Sequence, residues 1–311
     1  MNEEVYVFGH MSPDTDSVAS AIAYAEYRNK LDGLNAIPAR LGKLNKETTF
    51  VLDYFKMEEP VLLEDGAGKK FILVDHNEKE QSVKNRDSGE ILEIIDHHRV
   101  SDLTTPNPIF MRFEPVGCTA TIIYKMFAGR GMEISKQTAG LMLSAIVSDT
   151  LIFKSPTCTR EDKMAAQALS KIAGVDDLQT FAGEMLKAGS DLQGYSAEEL
   201  LNLDRKKFRV AGIEAYISQI QTLDYDDIMR LKDEFIKEMD LFLEKTKAGL
   251  AVLMITDLNK NSSMLLFTGR RSEFASRVFN AKIDADHAYL EGVVSRKAQI
   301  IPRLMAFHQG E

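Results

Sequence analysis

Three short, almost continuously apolar runs, each breaking off into aspartate and histidine, constrain this chain more than any other feature. Val5-Tyr6-Val7-Phe8-Gly9 leads into His10-Met11-Ser12-Pro13-Asp14-Thr15-Asp16. Phe71-Ile72-Leu73-Val74 leads into Asp75-His76-Asn77, and Ile91-Leu92-Glu93-Ile94-Ile95 into Asp96-His97-His98. Runs with so little polar alternation suit strands buried on both faces, as in a parallel sheet covered by helices. Apolar residues recur every three or four positions over 18–31, 119–128, 136–147 and 160–173, which predicts helices there. The alternation predicts an α/β fold for residues 1–188, a doubly wound and mainly parallel sheet. Ligands of such sheets bind beyond the carboxyl ends of the strands, so residues far apart in sequence can converge on one pocket.

At 311 residues the chain is long enough for two cored domains. The polar stretch Ala188-Gly189-Ser190-Asp191-Leu192-Gln193-Gly194 predicts a linker, set at 189–195. A smaller mixed α/β domain is expected over 196–311. Its strands are predicted at 207–211, 214–221, 250–256, 263–268 and 290–295, with a long helix over 225–245 and a short one over 273–279. Met111 and Met126 are expected to fill the core. No apolar stretch approaches the ~20 residues of a membrane span. The acidic start lacks the basic, apolar pattern of a signal peptide, and only Cys118 and Cys158 are present. A reducing cytoplasm is therefore the expected location, with no membrane partner. The formal net charge of −9 argues against nucleic acid as a partner.

Taken singly, each acidic residue has a plain structural reading. Asp16 or Thr15 would cap the following helix, Asp75 and Asp96 would be strand-end turn residues, and His10 a core histidine. Their conjunction changes the reading, because four of the six histidines lie beside these aspartates. A fourth cluster, Ser148-Asp149-Thr150, closes the apolar segment ending at Ile146-Val147. Two unit charges about 4 Å apart repel by about 4 kcal/mol at an effective dielectric of about 20. A cation removes that cost, and mixed imidazole and carboxylate donors suit Mn, Zn, Co or Fe better than Ca or Mg. So many ligands predict two metals, as in many phosphoryl hydrolases. No serine or cysteine stands beside an obvious base, so a covalent route is not expected.

Asp14-Thr15-Asp16, Asp75-His76-Asn77 and Asp96-His97-His98, in this order, resemble the motifs of the DHH phosphoesterase superfamily. Glu114-Pro115-Val116-Gly117-Cys118-Thr119 and Ser295-Arg296-Lys297 are similar, more narrowly, to those of family II (manganese-dependent) inorganic pyrophosphatases. The resemblance covers essentially the whole chain, with a DHH domain followed by a DHHA2-like domain. It implies a metal cluster of His10, Asp14, Asp16, Asp75, His97 and Asp149. It implies two Mn2+ per site, with Co2+ as an alternative and Mg2+ arriving with the substrate. Substrate contacts are implied for His98, Lys206, Arg296 and Lys297; Arg205 and Lys207 flank Lys206 and remain alternatives to it. Pyrophosphate would be hydrolysed by in-line attack of a hydroxide held between the metals, in a site between two domains that close on substrate. A homodimer through the N-terminal domain is also implied. Asp75, between the flanking motifs in chain order, is the expected bridging ligand.

An exopolyphosphatase of the same superfamily is the alternative, although that branch typically carries asparagine where this chain has His10. Related nucleases usually carry a histidine in a glycine-rich segment of the second domain. His287 and His308 follow no such segment.

Overall fold

The computed structural model of the chain describes residues 3–192, 194–210, 212–280 and 286–306. Ala211, the last residue of one expected strand, and His308 lie outside them. The chain divides into two compact units, Met1–Ala188 and Gly189–Glu311.

The first unit is built on β1 (Glu4–Phe8), β2 (Asn35–Arg40), β3 (Val61–Leu62), β4 (Lys70–Val74), β5 (Glu90–Asp96) and β6 (Phe110–Phe113). They form one sheet in the order β3-β2-β1-β4-β5-β6, every neighbouring pair parallel. Alternate residues serve opposite faces, as the pleat requires. Val5, Val7, Ile72, Val74 and Ile95 join one core, and Phe8, Phe71, Leu73 and Ile94 join the other. The first core takes the apolar sides of α1 (Thr15–Asp32), α2 (Lys46–Phe55), α3 (Thr119–Gly129), α4 (Lys136–Asp149), α5 (Arg160–Ala173) and α6 (Leu178–Ser190). The second core is smaller and is closed by Leu63 and Val83 outside any α-helix. Covering both faces explains the unbroken apolar runs.

Several local expectations are corrected. The cap of α1 is Asp14, whose Oδ1 accepts the Ser17 amide at 2.9 Å, rather than Thr15 or Asp16. Met126 is buried, but Met111 is 40% exposed on β6, beside Phe110 at 50%. The stretch expected as a linker begins at the boundary between the two units, and its first two residues, Gly189 and Ser190, end α6.

The second unit begins with α7 (Ala197–Leu203), held by a Ser196/Glu199 capping box. Its sheet comprises β7 (Arg205–Val210), β8 (Ile213–Thr222), β9 (Leu250–Asp257), β10 (Ser262–Thr268) and β11 (His287–Glu291), in the order β11-β10-β9-β8-β7. Among the described residues only β8 and β9 pair in parallel. The helix expected over 225–245 is two helices, α8 (Tyr225–Met229) and α9 (Lys232–Thr246). The break occurs where Leu231 N bonds back only three residues, to Ile228 O, and its side chain packs into the core. A short α10 (Ser272–Val278) follows β10. The last strand ends at Glu291, not 295, because Gly292 takes a left-handed φ of 69°. Val293 and Val294 are buried outside any strand. Ser295 then caps a wide helical turn, Arg296–Ile300, that runs into α11 (Ile301–Ala306). Arg296 and Lys297 thus open a helix instead of ending a strand.

Candidate metal centre

The order of the first sheet runs outward from β1 in one direction and from β4 in the other, so the topology switches between these two strands. A crevice opens beyond their carboxyl ends at such a point. His10, Asp14 and Asp16 follow β1, Asp75 follows β4, and β5 ends on Asp96-His97-His98. Asp149 is the last residue of α4.

Their side chains converge. His10 Nε2 stands 3.2 Å from Asp14 Oδ2 and 3.6 Å from Asp75 Oδ2. On the other side of the same carboxylate, Asp75 Oδ1 lies 3.4 Å from His97 Nε2 and 3.6 Å from His98 Nδ1. His97 Nε2 is also 3.7 Å from Asp149 Oδ2. Donor atoms gather in three groups, each within 4.8 Å: His10-Asp14-Asp75, Asp75-His97-His98 and Asp16-Cys118-Asp149. Asp75 alone belongs to two of them.

Backbone and hydroxyl groups fix these side chains. Asp75 has a φ of 57°, a left-handed value that aspartate tolerates better than most residues. Ser17 Oγ donates to its Oδ2 at 2.8 Å and Thr119 Oγ1 to its Oδ1 at 3.1 Å. Asp16 receives the Thr119 and Ala120 amides, at 2.7 and 3.1 Å, from the first turn of α3, and Ser20 Oγ at 2.7 Å. A helix N-terminus favours a negative charge there. His97 Nδ1 lies 3.0 Å from Val116 O; a carbonyl only accepts, so the proton sits on Nδ1 and Nε2 keeps its lone pair for a metal. Asp96 Oδ1 accepts both the amide and Nδ1 of His98, each at 2.9 Å, and its Oδ2 accepts Asn77 Nδ2 at 2.7 Å. Asp96 therefore orients His98.

His76 is not aimed at the cluster. It bonds Val74 O and Ser82 Oγ at 2.9 and 3.0 Å, and burial pushes its pKa down to about 4, so it is neutral.

The electrostatics test the fit of a cation. Burial, and then the neighbouring carboxylates of Asp16, Asp14, Asp149 and Asp96, raise Asp75 well above the usual carboxylate range. Burial and then Asp14 raise Asp16. Burial, followed by Asp16 and Asp149, keeps Cys118 a protonated thiol that donates to Asp16. The protein alone would have to hold protons on this cluster, whereas a divalent cation lets the carboxylates ionise together. With two imidazoles and four carboxylates as donors, the residues fit borderline metals such as manganese.

In the second unit, strand alternation separates the three adjacent basic residues. Arg205 lies over the Phe242 ring, 3.8 Å from its centroid, and Lys207 pairs with Glu214 at 2.9 Å. Lys206 points to the opposite face and makes no ion pair among the described residues. Its register partner is Ile217, whose carbonyl accepts Arg296 Nη1 at 3.0 Å. Arg296 is buried, and also donates to Asp204 O at 2.7 Å and Asp204 Oδ1 at 2.8 Å. Lys206 and Arg296 thus share Ile217 as a neighbour, and exposed Lys297 follows Arg296 in the chain.

Two domain models match the chain, the DHH family N-terminal domain over residues 4–146 and the DHHA2 domain over 183–307. Over 306 residues it is 48% identical to the manganese-dependent inorganic pyrophosphatase of Methanothrix thermoacetophila, with 98% of each chain covered. The chain belongs to the manganese-dependent inorganic pyrophosphatases. It is 46% identical to the pyrophosphatase of this family from Bacillus subtilis over 304 residues, 97% of this chain and 98% of that one. A crystal structure from Methanococcus jannaschii, assigned to the family II inorganic pyrophosphatases, superposes with a TM-score of 0.90 at 40% identity, covering 98% and 99% of the two chains.

Within this pyrophosphatase fold, Ser17, Thr119 and Asn77 hold side chains of the cluster in roles that the sequence motifs did not assign, and Asp96 orients His98. A hydroxyl acts here through one hydrogen bond, and no spacing rule marks it. Thr119 had a signal, since it opens a helix straight after the Val116-Gly117-Cys118 segment.

Proposed function

We propose that the chain hydrolyses inorganic pyrophosphate to two phosphates at the centre formed by His10, Asp14, Asp16, Asp75, His97 and Asp149. The observation that carries this reading is Asp75, one carboxylate whose two oxygens face two separate sets of ligands. The manganese-dependent pyrophosphatase relatives support both the substrate and the metal. Two Mn2+ ions, with Co2+ able to replace them and Mg2+ accompanying the substrate, would lower the pKa of bound water and screen the charge of the phosphates. Water would attack one phosphorus in line and break its bond to the bridging oxygen; the second phosphate would leave with that oxygen, each product would take one of the water's protons, and no phosphoenzyme would form.

The remaining work falls to the chain's own groups. His98, oriented by Asp96 through Nδ1, is assigned a contact with the phosphate. The leaving phosphate needs cations that the aspartates and histidines of the first unit do not supply. Lys206, Arg296 and Lys297 are assigned that task, Arg296 as a planar fork and the lysines as point charges.

The free edge at β6, with Phe110 and Met111 exposed, supports a homodimer through the first unit. Sedimentation should give a dimer for the full chain and a monomer for Met111→Lys. Two unpaired cysteines are in keeping with a reducing cytoplasm. Among the described residues no helix is long and apolar enough to cross a membrane.

Assays on pyrophosphate, short and long polyphosphate and a nucleotide oligomer, with Mn2+ and Mg2+, test the substrate. Pyrophosphate should be the preferred substrate by a wide margin. Preference for long polyphosphate would instead favour an exopolyphosphatase.

A further inference from the structure

Glu47, in the first turn of α2, belongs to none of the metal-binding motifs, yet it touches two of them. Its Oε1 accepts Thr15 Oγ1 at 2.6 Å, and Thr15 lies between Asp14 and Asp16. The same oxygen accepts Ser148 Oγ at 2.6 Å, and Ser148 precedes Asp149. Thr48, the next residue of α2, adds a second hold on Thr15, hydroxyl to hydroxyl at 3.2 Å. α2 itself is fixed, because Asn45 caps it by accepting the Thr48 amide at 2.7 Å. Its Phe55 packs so closely on α4 that a Cβ on Gly140 would meet the ring at 2.2 Å.

Asp16 and Asp149 stand within a few ångströms of each other although they repel and lie far apart in the first unit's sequence. Neither lies on a strand, and the helices that carry them, α1 and α4, pack directly against each other. Asp16 lies on α1, packed above the sheet, and Asp149 ends a helix after which, one residue on, Leu151, Ile152 and Phe153 all take left-handed φ values. A short hydrogen bond from each neighbouring hydroxyl to one shared oxygen sets the distance between the two segments directly.

We propose that Glu47 is a positioning residue of the metal centre, a bracket that joins the Asp14-Thr15-Asp16 and Ser148-Asp149 segments so that Asp16 and Asp149 grip one cation. The inference rests on the metal-binding reading above, and it concerns the geometry of one site rather than the identity of the substrate. The action runs through the two hydroxyls. Glutamine keeps an acceptor oxygen of the same reach, while alanine removes it. Residues that orient metal ligands from behind are typically worth ten- to a hundredfold in metal affinity.

Manganese titration calorimetry on the full-length chain, with thermal unfolding of the metal-free proteins, tests this. The unsubstituted chain should bind two Mn2+. Glu47→Ala should bind one of them about ten- to a hundredfold more weakly. Glu47→Gln should stay close to the unsubstituted chain, and metal-free Glu47→Ala should melt within a few degrees of it. Thr15→Val and Ser148→Ala should each weaken the same ion, which keeps the test alive should Glu47→Ala fail to fold. Unchanged manganese binding in Glu47→Ala, or in both hydroxyl variants, overturns the bracket. Equal loss of both ions with a lowered metal-free melting point and no rescue by glutamine overturns it too, since that is the mark of a merely structural residue. A chain that binds no manganese even when unsubstituted overturns the metal-binding reading itself.

Discussion

Asp75→Asn is expected to lose manganese binding and pyrophosphate turnover together. Each carboxylate oxygen of Asp75 does two jobs: Oδ2 accepts Ser17 Oγ and faces His10, and Oδ1 accepts Thr119 Oγ1 and faces His97. An asparagine keeps one oxygen and turns an amino group towards the other side. That group donates where an acceptor is needed, so one hydroxyl and one set of ligands lose their partner. It also removes a negative charge from a cluster whose raised carboxylate pKa values already show how strongly it calls for a cation. Metal-supplied stabilisation of a phosphoryl transition state is worth several kcal/mol, so turnover should fall by about a thousandfold or more. Calorimetry and phosphate release on the same preparation check this. Tight binding of two Mn2+ ions by Asp75→Asn would remove Asp75 from the bridging role.

Arg296→Lys should lower kcat/KM for pyrophosphate by roughly ten- to a hundredfold while manganese affinity stays unchanged. Three of the five N–H donors of the guanidinium are engaged by Asp204 O, Asp204 Oδ1 and Ile217 O, which leaves two for a phosphate. An ammonium has three donors in all and no planar fork. It cannot satisfy the second unit and grip phosphate at once. Steady-state kinetics beside manganese calorimetry separate the outcomes. Unaltered kinetics would show that Arg296 serves only to tie β7, β8 and the last helical turn together.

Much of the candidate metal centre was legible because each candidate ligand stands within a few residues of the end of a strand or helix. The runs ending at Phe8, Val74 and Ile95 are buried on both faces, so they are apolar almost throughout, and the first polar residues after them enter the crevice. Residues outside that pattern were harder to read. β2 carries Pro38 and α2 mixes polar with apolar positions, so neither declared itself, and Glu47 went unseen with them. The end of β11 was misplaced for a different reason. Val293 and Val294 are buried and β-branched, as strand residues often are, but they reach the core from an irregular segment after the left-handed turn at Gly292. The pattern records burial, and burial is only loosely tied to backbone conformation at such a turn. Met111 was misread because an apolar residue on an edge strand looks the same in sequence as one in the core.

Pyrophosphate hydrolysis is expected to depend on metal held by the aspartates and histidines at the strand ends of the first unit. The most direct test is phosphate release from pyrophosphate by metal-stripped chain as Mn2+ is titrated in, with bound manganese measured on the same samples. Activity should be absent without metal and should rise with occupancy until two ions are bound per chain. Full activity in the presence of excess chelator, or a chain carrying two Mn2+ ions that leaves pyrophosphate intact, would contradict it.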